Sequence, residues 1–229
     1  MKKTLSSILA IALCFCSIAE TGNSTNRNNS DFRFSISGGY DFSVNFNKPF
    51  QDFISEEFGM DLPSTRHAFN FAFYTNFGSR VTYMMGAVLR PMSLSKNDIT
   101  LEQLQSSAYF TFAVNLLDNK NLRLSPLMGI TLAQNNLTYN NNQSLTNPIT
   151  FPDVMNSSHK SLQFVQKQKM GMEFGFMCDV RLFDNMWASV YIKWEQSFAN
   201  SHWTIQNRKV EGMPKFKNNN LAMGIMIRL

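Results

Sequence analysis

Leu221-Ala222-Met223-Gly224-Ile225-Met226-Ile227-Arg228-Leu229 is the stretch whose reading decides the fold. In an extended chain successive side chains point to opposite faces. Leu221, Met223, Ile225, Ile227 and Leu229 therefore share one face, and Ala222, Gly224, Met226 and Arg228 share the other. The first face is uniformly apolar, which suits either the inner wall of a soluble core or a lipid-facing wall around a polar lumen. The rest of the chain separates these two readings.

The same period of two recurs in seven earlier stretches. The apolar phases run Phe32, Phe34, Ile36, Tyr40, Phe42; Phe69, Phe71, Phe73, Phe77; Val81, Tyr83, Met85, Ala87, Leu89; and Ala108, Phe110, Phe112, Val114, Leu116. They continue as Leu122, Leu124, Met128, Ile130, Leu132; Met170, Met172, Phe174, Phe176, Cys178, Val180, Leu182; and Met186, Ala188, Val190, Ile192, Trp194. None carries a charge. A charged residue on the lipid face at the bilayer midplane costs about 2 to 4 kcal/mol, and a tilted strand needs about nine to eleven residues to cross, which explains both the purity and the length of these phases. A lipocalin-like soluble barrel would show the same periodicity with the apolar phase turned inward.

The connections favour the membrane. Residues 78–80, 117–121 and 183–185 are short and rich in turn formers, whereas 43–68, 90–105, 133–169 and 195–220 are several times longer. Strict alternation of short and long connections on an even strand count is what a membrane barrel with both termini in the periplasm requires. The expectation is all-β: an eight-stranded antiparallel up-and-down transmembrane β-barrel with short periplasmic turns and long extracellular loops. Pro126 inside the fifth strand is a discordant note, because proline cannot donate to a ladder.

Gly224, Ile227 and Leu229 have the spacing of the C-terminal signal of Gram-negative outer-membrane β-barrels, with Leu229 where that signal usually carries an aromatic residue. With that signal and its eight phases the chain resembles the small outer-membrane barrels, namely the OmpA-type transmembrane domain and the porin-like barrels of Bacteroidetes-type bacteria. The resemblance implies an outer-membrane location, contact with outer-membrane lipid and lipopolysaccharide, and insertion by the barrel-assembly machinery. It says little about activity.

Lys2 and Lys3 followed by the apolar run Ile8–Cys16 and the small residues of Ser17-Ile18-Ala19 read as a cleaved signal peptide over 1–19. A short periplasmic segment, 20–30, then leads into a barrel domain over 31–229. Cleavage would remove two lysines and no acid, taking the formal charge from +5 to +3, and would leave Cys178 as the sole thiol. An intramolecular disulfide is then impossible. A charge this small, with no nucleic-acid motif, no glycine-rich phosphate loop and no metal-ligand cluster, implies no nucleic-acid partner, no cofactor and no metal. No run approaches the 18 or so apolar residues of a transmembrane helix.

Chemistry therefore falls to the lumen and the loops. The phases opposite the apolar ones hold Arg33, Asp41, Arg90, Arg123, Glu173, Asp179, Arg181, Lys193, Glu195 and Arg228. Strand direction puts Arg33, Arg123, Arg181 and Arg228 toward the periplasm with Asp179, and Asp41, Arg90, Glu173, Lys193 and Glu195 toward the outside. Eight strands leave an interior just wide enough for side chains, so these charges are expected to pair into a plug, with Arg181 beside Asp179 or Glu173. A thin conduit preferring anions is the alternative. His67, beside Asp61, Ser64 and Thr65, stands where lipid-modifying barrel enzymes place Ser and His, but with no partner in phase it reads as a solvated rim residue. Phe50, Phe53 and Ile54 at helical spacing within 48–60 suggest an amphipathic helix capping the mouth. Arg208, Lys209, Lys215 and Lys217 give the fourth long loop a basic character suited to lipopolysaccharide phosphates. The function expected is a non-enzymatic envelope protein acting structurally or through an extracellular ligand of its loops. A small passive channel comes next, and a lipid-modifying enzyme or secretion-apparatus barrel is more remote.

Overall fold

The computed structural model describes residues 33–77, 80–119, 121–141, 160–183 and 186–229. The expected signal peptide and N-terminal segment lie outside these residues, as do His159 and parts of all three short turns. Eight long strands form the barrel: β1 (Arg33–Asn45), β2 (Thr65–Phe77), β3 (Val81–Lys96), β4 (Ile99–Val114), β5 (Leu122–Asn141), β6 (Lys160–Phe183), β7 (Met186–Asn200) and β8 (Asn220–Arg228). Each pairs antiparallel with the next, and β8 closes on β1 with Gly39 opposite Met226 and Asn45 opposite Asn220. Closure leaves no open edge within the bilayer, where an unpaired backbone group would find no water.

The apolar phases face outward. Phe71, Ile130, Phe174, Phe176 and Val190 are each more than half exposed, while their neighbours Asn70, Thr131, Glu173, Met177 and Ser189 are buried. A soluble barrel would reverse this pattern. Outside, a band of Phe, Ile, Leu and Met meets lipid; inside, small residues let large ones cross. Gly86 and Gly224 face Tyr109 and Tyr191 on the neighbouring strands, where a Cβ would strike each phenol ring. Pro126 sits where the ladder from β5 to β4 is interrupted, between the Ala113–Leu127 pair and the Leu117–Leu124 pair. That gap is the place in a closed barrel where a missing N–H costs least.

The stretches 90–105, 133–141 and 160–169 depart from their reading as loops. β3 and β4 continue as a hairpin with Lys96 opposite Ile99, turned by Asn97 at φ 54 and Asp98. β5 and β6 run on to the Asn141–Lys160 pair. Strands β3 to β6 thus rise above the others as a four-stranded wall. The reason lies in side-chain phase: on β4 the outward residues change from Phe112, Phe110 and Ala108 to Ser106, Leu104 and Glu102, while the inward ones change from Thr111 and Gln105 to Leu101. The strand leaves the membrane at this level and adopts soluble-type polarity, so its apolar phase switches sides without any break in the ladder.

The low side of the barrel supplies the cover. Between β1 and β2 the helix α1 (Lys48–Phe58) forms with Pro49 in its first turn and ends on Gly59 at φ 62, whose N–H donates to the Ser55 carbonyl at 2.9 Å. Its Phe50 and Ile54 are fully buried, as the spacing predicted. Between β7 and β8, the segment 201–219 carries the small hairpin of Thr204–Ile205 and Arg208–Lys209, which joins the wall through Thr204 opposite Val165. No described helix is long and apolar enough to cross a membrane.

Candidate functional site: the filled lumen and the covered mouth

From the periplasmic end upward, the lumen begins with a cationic ring. Asp179 stands opposite Arg123 in register and accepts from Arg228 Nη2 at 3.3 Å. Arg228 lies over the Tyr74 ring at 4.9 Å, and Arg123 lies over Trp187 at 4.5 Å. Cations stacked on aromatic faces keep a partner where water is scarce. Arg181 is half-buried at this rim, its Nε donating to the Phe183 carbonyl at 3.3 Å. Of the two carboxylates expected beside Arg181, Asp179 accepts from Arg228 and Glu173 from Lys193. Phase alone places Arg181 on the correct face but does not choose among three arginines on that face. The side chain of Arg33 lies outside the described residues.

Above the ring the interior is apolar, filled by Ala72, Met84, Ala113, Leu127, Met177 and Met226. A cavity of about 10 Å³ remains beside Met84, Tyr109 and Lys193. That is space for roughly one water at most.

The second charged layer is the densest. Lys193 Nζ donates to Glu173 Oε2 at 2.8 Å and approaches Glu195 Oε1 at 3.4 Å, while Arg90 Nη2 donates to the same Glu195 oxygen at 2.8 Å. Thr111 Oγ1 donates to Glu173, and Asn220 Nδ2 donates to Glu195 Oε2 at 2.9 Å. All four charged residues are at most 4% exposed. Asp41, expected among the ion pairs, is held instead by hydrogen bonds from Tyr191 and Asn70, and Tyr109 donates to Asn70 at 2.8 Å. Lys193 also lies over the Tyr109 ring at 4.7 Å. The layer is a cross-braced network of charge-assisted bonds that crosses the lumen from Arg90 on β3 to Glu195 on β7 and from Thr111 on β4 to Glu173 on β6, and such bonds are the strong ones.

Sequence reasoning missed the upper polar tier. Arg66 Nη2 donates to Gln103 at 3.1 Å and its guanidinium lies over Phe216 at 4.8 Å; Gln105 donates to Asn218 at 2.7 Å. Arg66 is in phase with Asn70, and Gln103 and Gln105 with Tyr109, so the alternation already points them inside. The signal is hidden because these stretches read as loops.

Over this tier sits an apolar cluster of Phe50, Ile54, Met60, Leu62, Leu101, Leu137, Trp203 and Phe216, all buried. Phe50 stacks on Trp203 at 5.6 Å and meets Phe216 edge-on at 5.2 Å, and Trp203 Nε1 donates to the Pro214 carbonyl at 2.8 Å. Lys96 at the tip of the β3–β4 hairpin donates to the Gly59 carbonyl, tying the wall to the end of α1. His67 faces outward, with Tyr40 Oη bonded to its Nδ1 and Phe42 edge-on at 5.8 Å. It packs with the outward aromatic residues Tyr40 and Phe42, and Asp61 accepts from Ser55. Among the described residues no group of three His, Cys, Asp or Glu could hold a metal ion.

Gly224 lies inside against Tyr191, and Ile227 and Leu229 face out, with Leu229 N donating to the Ile36 carbonyl at 2.9 Å. The stretch 221–229 is the closing strand of the barrel.

No family model and no curated protein matches the sequence. Solved structures do match. A major outer membrane protein from Thermus thermophilus superposes over 87% of this chain and 100% of its own, with a TM-score of 0.55 at 12% identity. The fold is that of the small outer-membrane β-barrels. Ail, the attachment invasion locus protein of Yersinia pestis, matches over 86% of this chain and 97% of its own (TM-score 0.44, 13% identity). The outer membrane protease OmpT of Escherichia coli matches over 90% and 96% (TM-score 0.34, 8% identity). At these identities the likeness concerns fold alone. The barrel's apolar girdle and polar interior suit it to an outer membrane.

Proposed function

We propose that this outer-membrane barrel is non-enzymatic, that its lumen is a plug, and that its work is done at the outer end by the wall, α1 and segment 201–219. One observation carries the reading: Arg90, Lys193, Glu173 and Glu195 link across the lumen beneath a buried apolar cover, and the recess beside Tyr109 and Lys193 has space for about one water. A conduit needs hydrated charges along a continuous path, whereas here each of these charges is bound to another side chain. At the outer end Arg208, Lys209, Lys215 and Lys217 are exposed, alternating in part with buried Phe216 and Asn218. That arrangement suits the phosphates of lipopolysaccharide or an anionic surface ligand. Gly224, Ile227 and Leu229 would serve the barrel-assembly machinery during insertion.

The test is conductance of the refolded protein in a planar bilayer. The plug predicts a flat trace up to about 100 mV, since it leaves no continuous water path to carry ions. Discrete openings whose anion preference changes in Lys193→Gln would replace the plug with a channel.

A further inference from the structure

The apolar cover over the lumen is not fully packed. Where the wall, α1 and segment 201–219 meet, a cavity of about 280 Å³ remains. The wall contributes Leu101, Leu137, Tyr139 and Phe164, and α1 contributes Phe53 and Phe58; Val210 to Met213 form the third side. Phe58 and Tyr139 approach at 5.6 Å and Phe53 meets Phe58 edge-on at 6.3 Å, so much of the lining is aromatic. The recess opens to solvent at its rim, past the exposed Glu57, Glu211 and Gly212, so a ligand can enter it. An engineered apolar cavity of about 150 Å³ takes up benzene, so this one has room for roughly two fused rings.

Among the described residues lining the cavity, the charged ones are Glu57 and Glu211. Both are exposed, and they come from different elements: one on α1 and one beside Gly212, which has a φ of 78. Lys209 reaches Glu211 at 3.4 Å, an exposed contact that an incoming cation can displace at little cost. Apolar walls with two carboxylates at the rim define a ligand with a hydrophobic body and a cationic head. We propose that this cavity is a binding site for small amphiphilic organic cations, such as an aryl- or alkylamine of roughly ten carbons, with the amine held between Glu57 and Glu211. The proposal goes beyond the reading of the basic outer surface as a site for anions, because it concerns a separate apolar recess, and it is independent of whether the lumen conducts.

The test uses the full chain in detergent micelles or nanodiscs, with three isosteric probes: 1-naphthylmethylammonium, 1-naphthylmethanol and 1-naphthoate. Binding is followed by saturation-transfer NMR and calorimetry, with detergent-only controls. The expected order is cation, then alcohol, then anion. Glu57→Gln with Glu211→Gln should weaken the cation about three- to tenfold at low salt, the range for two exposed ion pairs, and leave the alcohol unchanged. Raising salt to about 1 M, where the screening length falls to about 3 Å, should do the same to the native protein. Met213→Trp, which fills the cavity from segment 201–219 without altering the wall, should remove binding of all three while the unfolding transition stays in place. Equal affinity for cation and anion, or binding that survives Met213→Trp in a folded protein, overturns the proposal. Conductance by the same preparation bears only on the plug.

Discussion

The transmembrane lumen and the mouth above it are built from the same strands with opposite polarity. On β4, inward-facing Gln105, Tyr109 and Thr111 line a polar lumen, and outward-facing Phe110 and Phe112 meet lipid; farther up the same strand, Leu101 points in and Glu102 points out. β5 does the same, with Ser125 and Thr131 inside at membrane depth and Leu137 inside at the mouth. Each half is a consistent solution for its own solvent. Lipid rewards apolar surface outside and tolerates charge only within, whereas water rewards the reverse. The difference teaches that a strand's apolar phase reports the medium beside it, and that the level at which the phase switches marks the membrane surface.

The contrast can be broken first in the lumen. Glu195→Ala leaves Arg90 without its carboxylate in a dry interior, and breaking a buried pair costs about 3 to 5 kcal/mol. Urea unfolding in detergent micelles should show a loss of this size, and a change within about 0.5 kcal/mol would mean the layer is hydrated.

In the mouth, Ile54→Ala removes a fully buried side chain from an ordinary apolar core, so about 2 to 5 kcal/mol is expected from lost transfer and cavity terms. Tryptophan fluorescence in a Trp187→Phe, Trp194→Phe background should report it locally, because Trp203 lies in the same cluster. A loss confined to that signal, with the barrel transition unmoved, would show that the mouth and the barrel unfold as separate units.

At the lipid boundary, Phe110→Lys should cost about 2 to 4 kcal/mol if the residue sits near mid-bilayer, and less toward the interface. Folding yield into nanodiscs is the measurement. Glu102→Lys, higher on the outward phase of the same strand, should fall within about 0.5 kcal/mol as a solvated surface change. Equal penalties at both positions would place the membrane surface elsewhere on β4.

Within the lumen the smallest effect belongs to Arg181→Ala. With Asp179 held by Arg228 and Glu173 by Lys193, removing this half-buried rim arginine should cost less than about 1 kcal/mol, in the range of an exposed ion pair. A loss as large as that of Glu195→Ala would return Arg181 to the centre of the network.

By itself the sequence determined the medium and the closure. Eight charge-free phases with charges opposite them dictate strands with one apolar and one polar face, and the alternation of short and long connections favours lipid on the apolar side, because period and connection length are properties of residue order alone. The helix over Phe50 and Ile54 was equally legible from its 3.6-residue spacing. Pairing was not: Arg123, Arg181 and Arg228 share one phase and one end, and only the register of β5, β6 and β8 assigns Arg228 to Asp179. Nor was the wall, because a strand that leaves the membrane switches its phase and reads as a loop. Only the tertiary structure could decide that Leu101, Leu137 and Phe164 face Phe53 and Val210 across a common mouth. They are brought together by barrel closure, which joins residues far apart in the chain through contacts that no local pattern encodes.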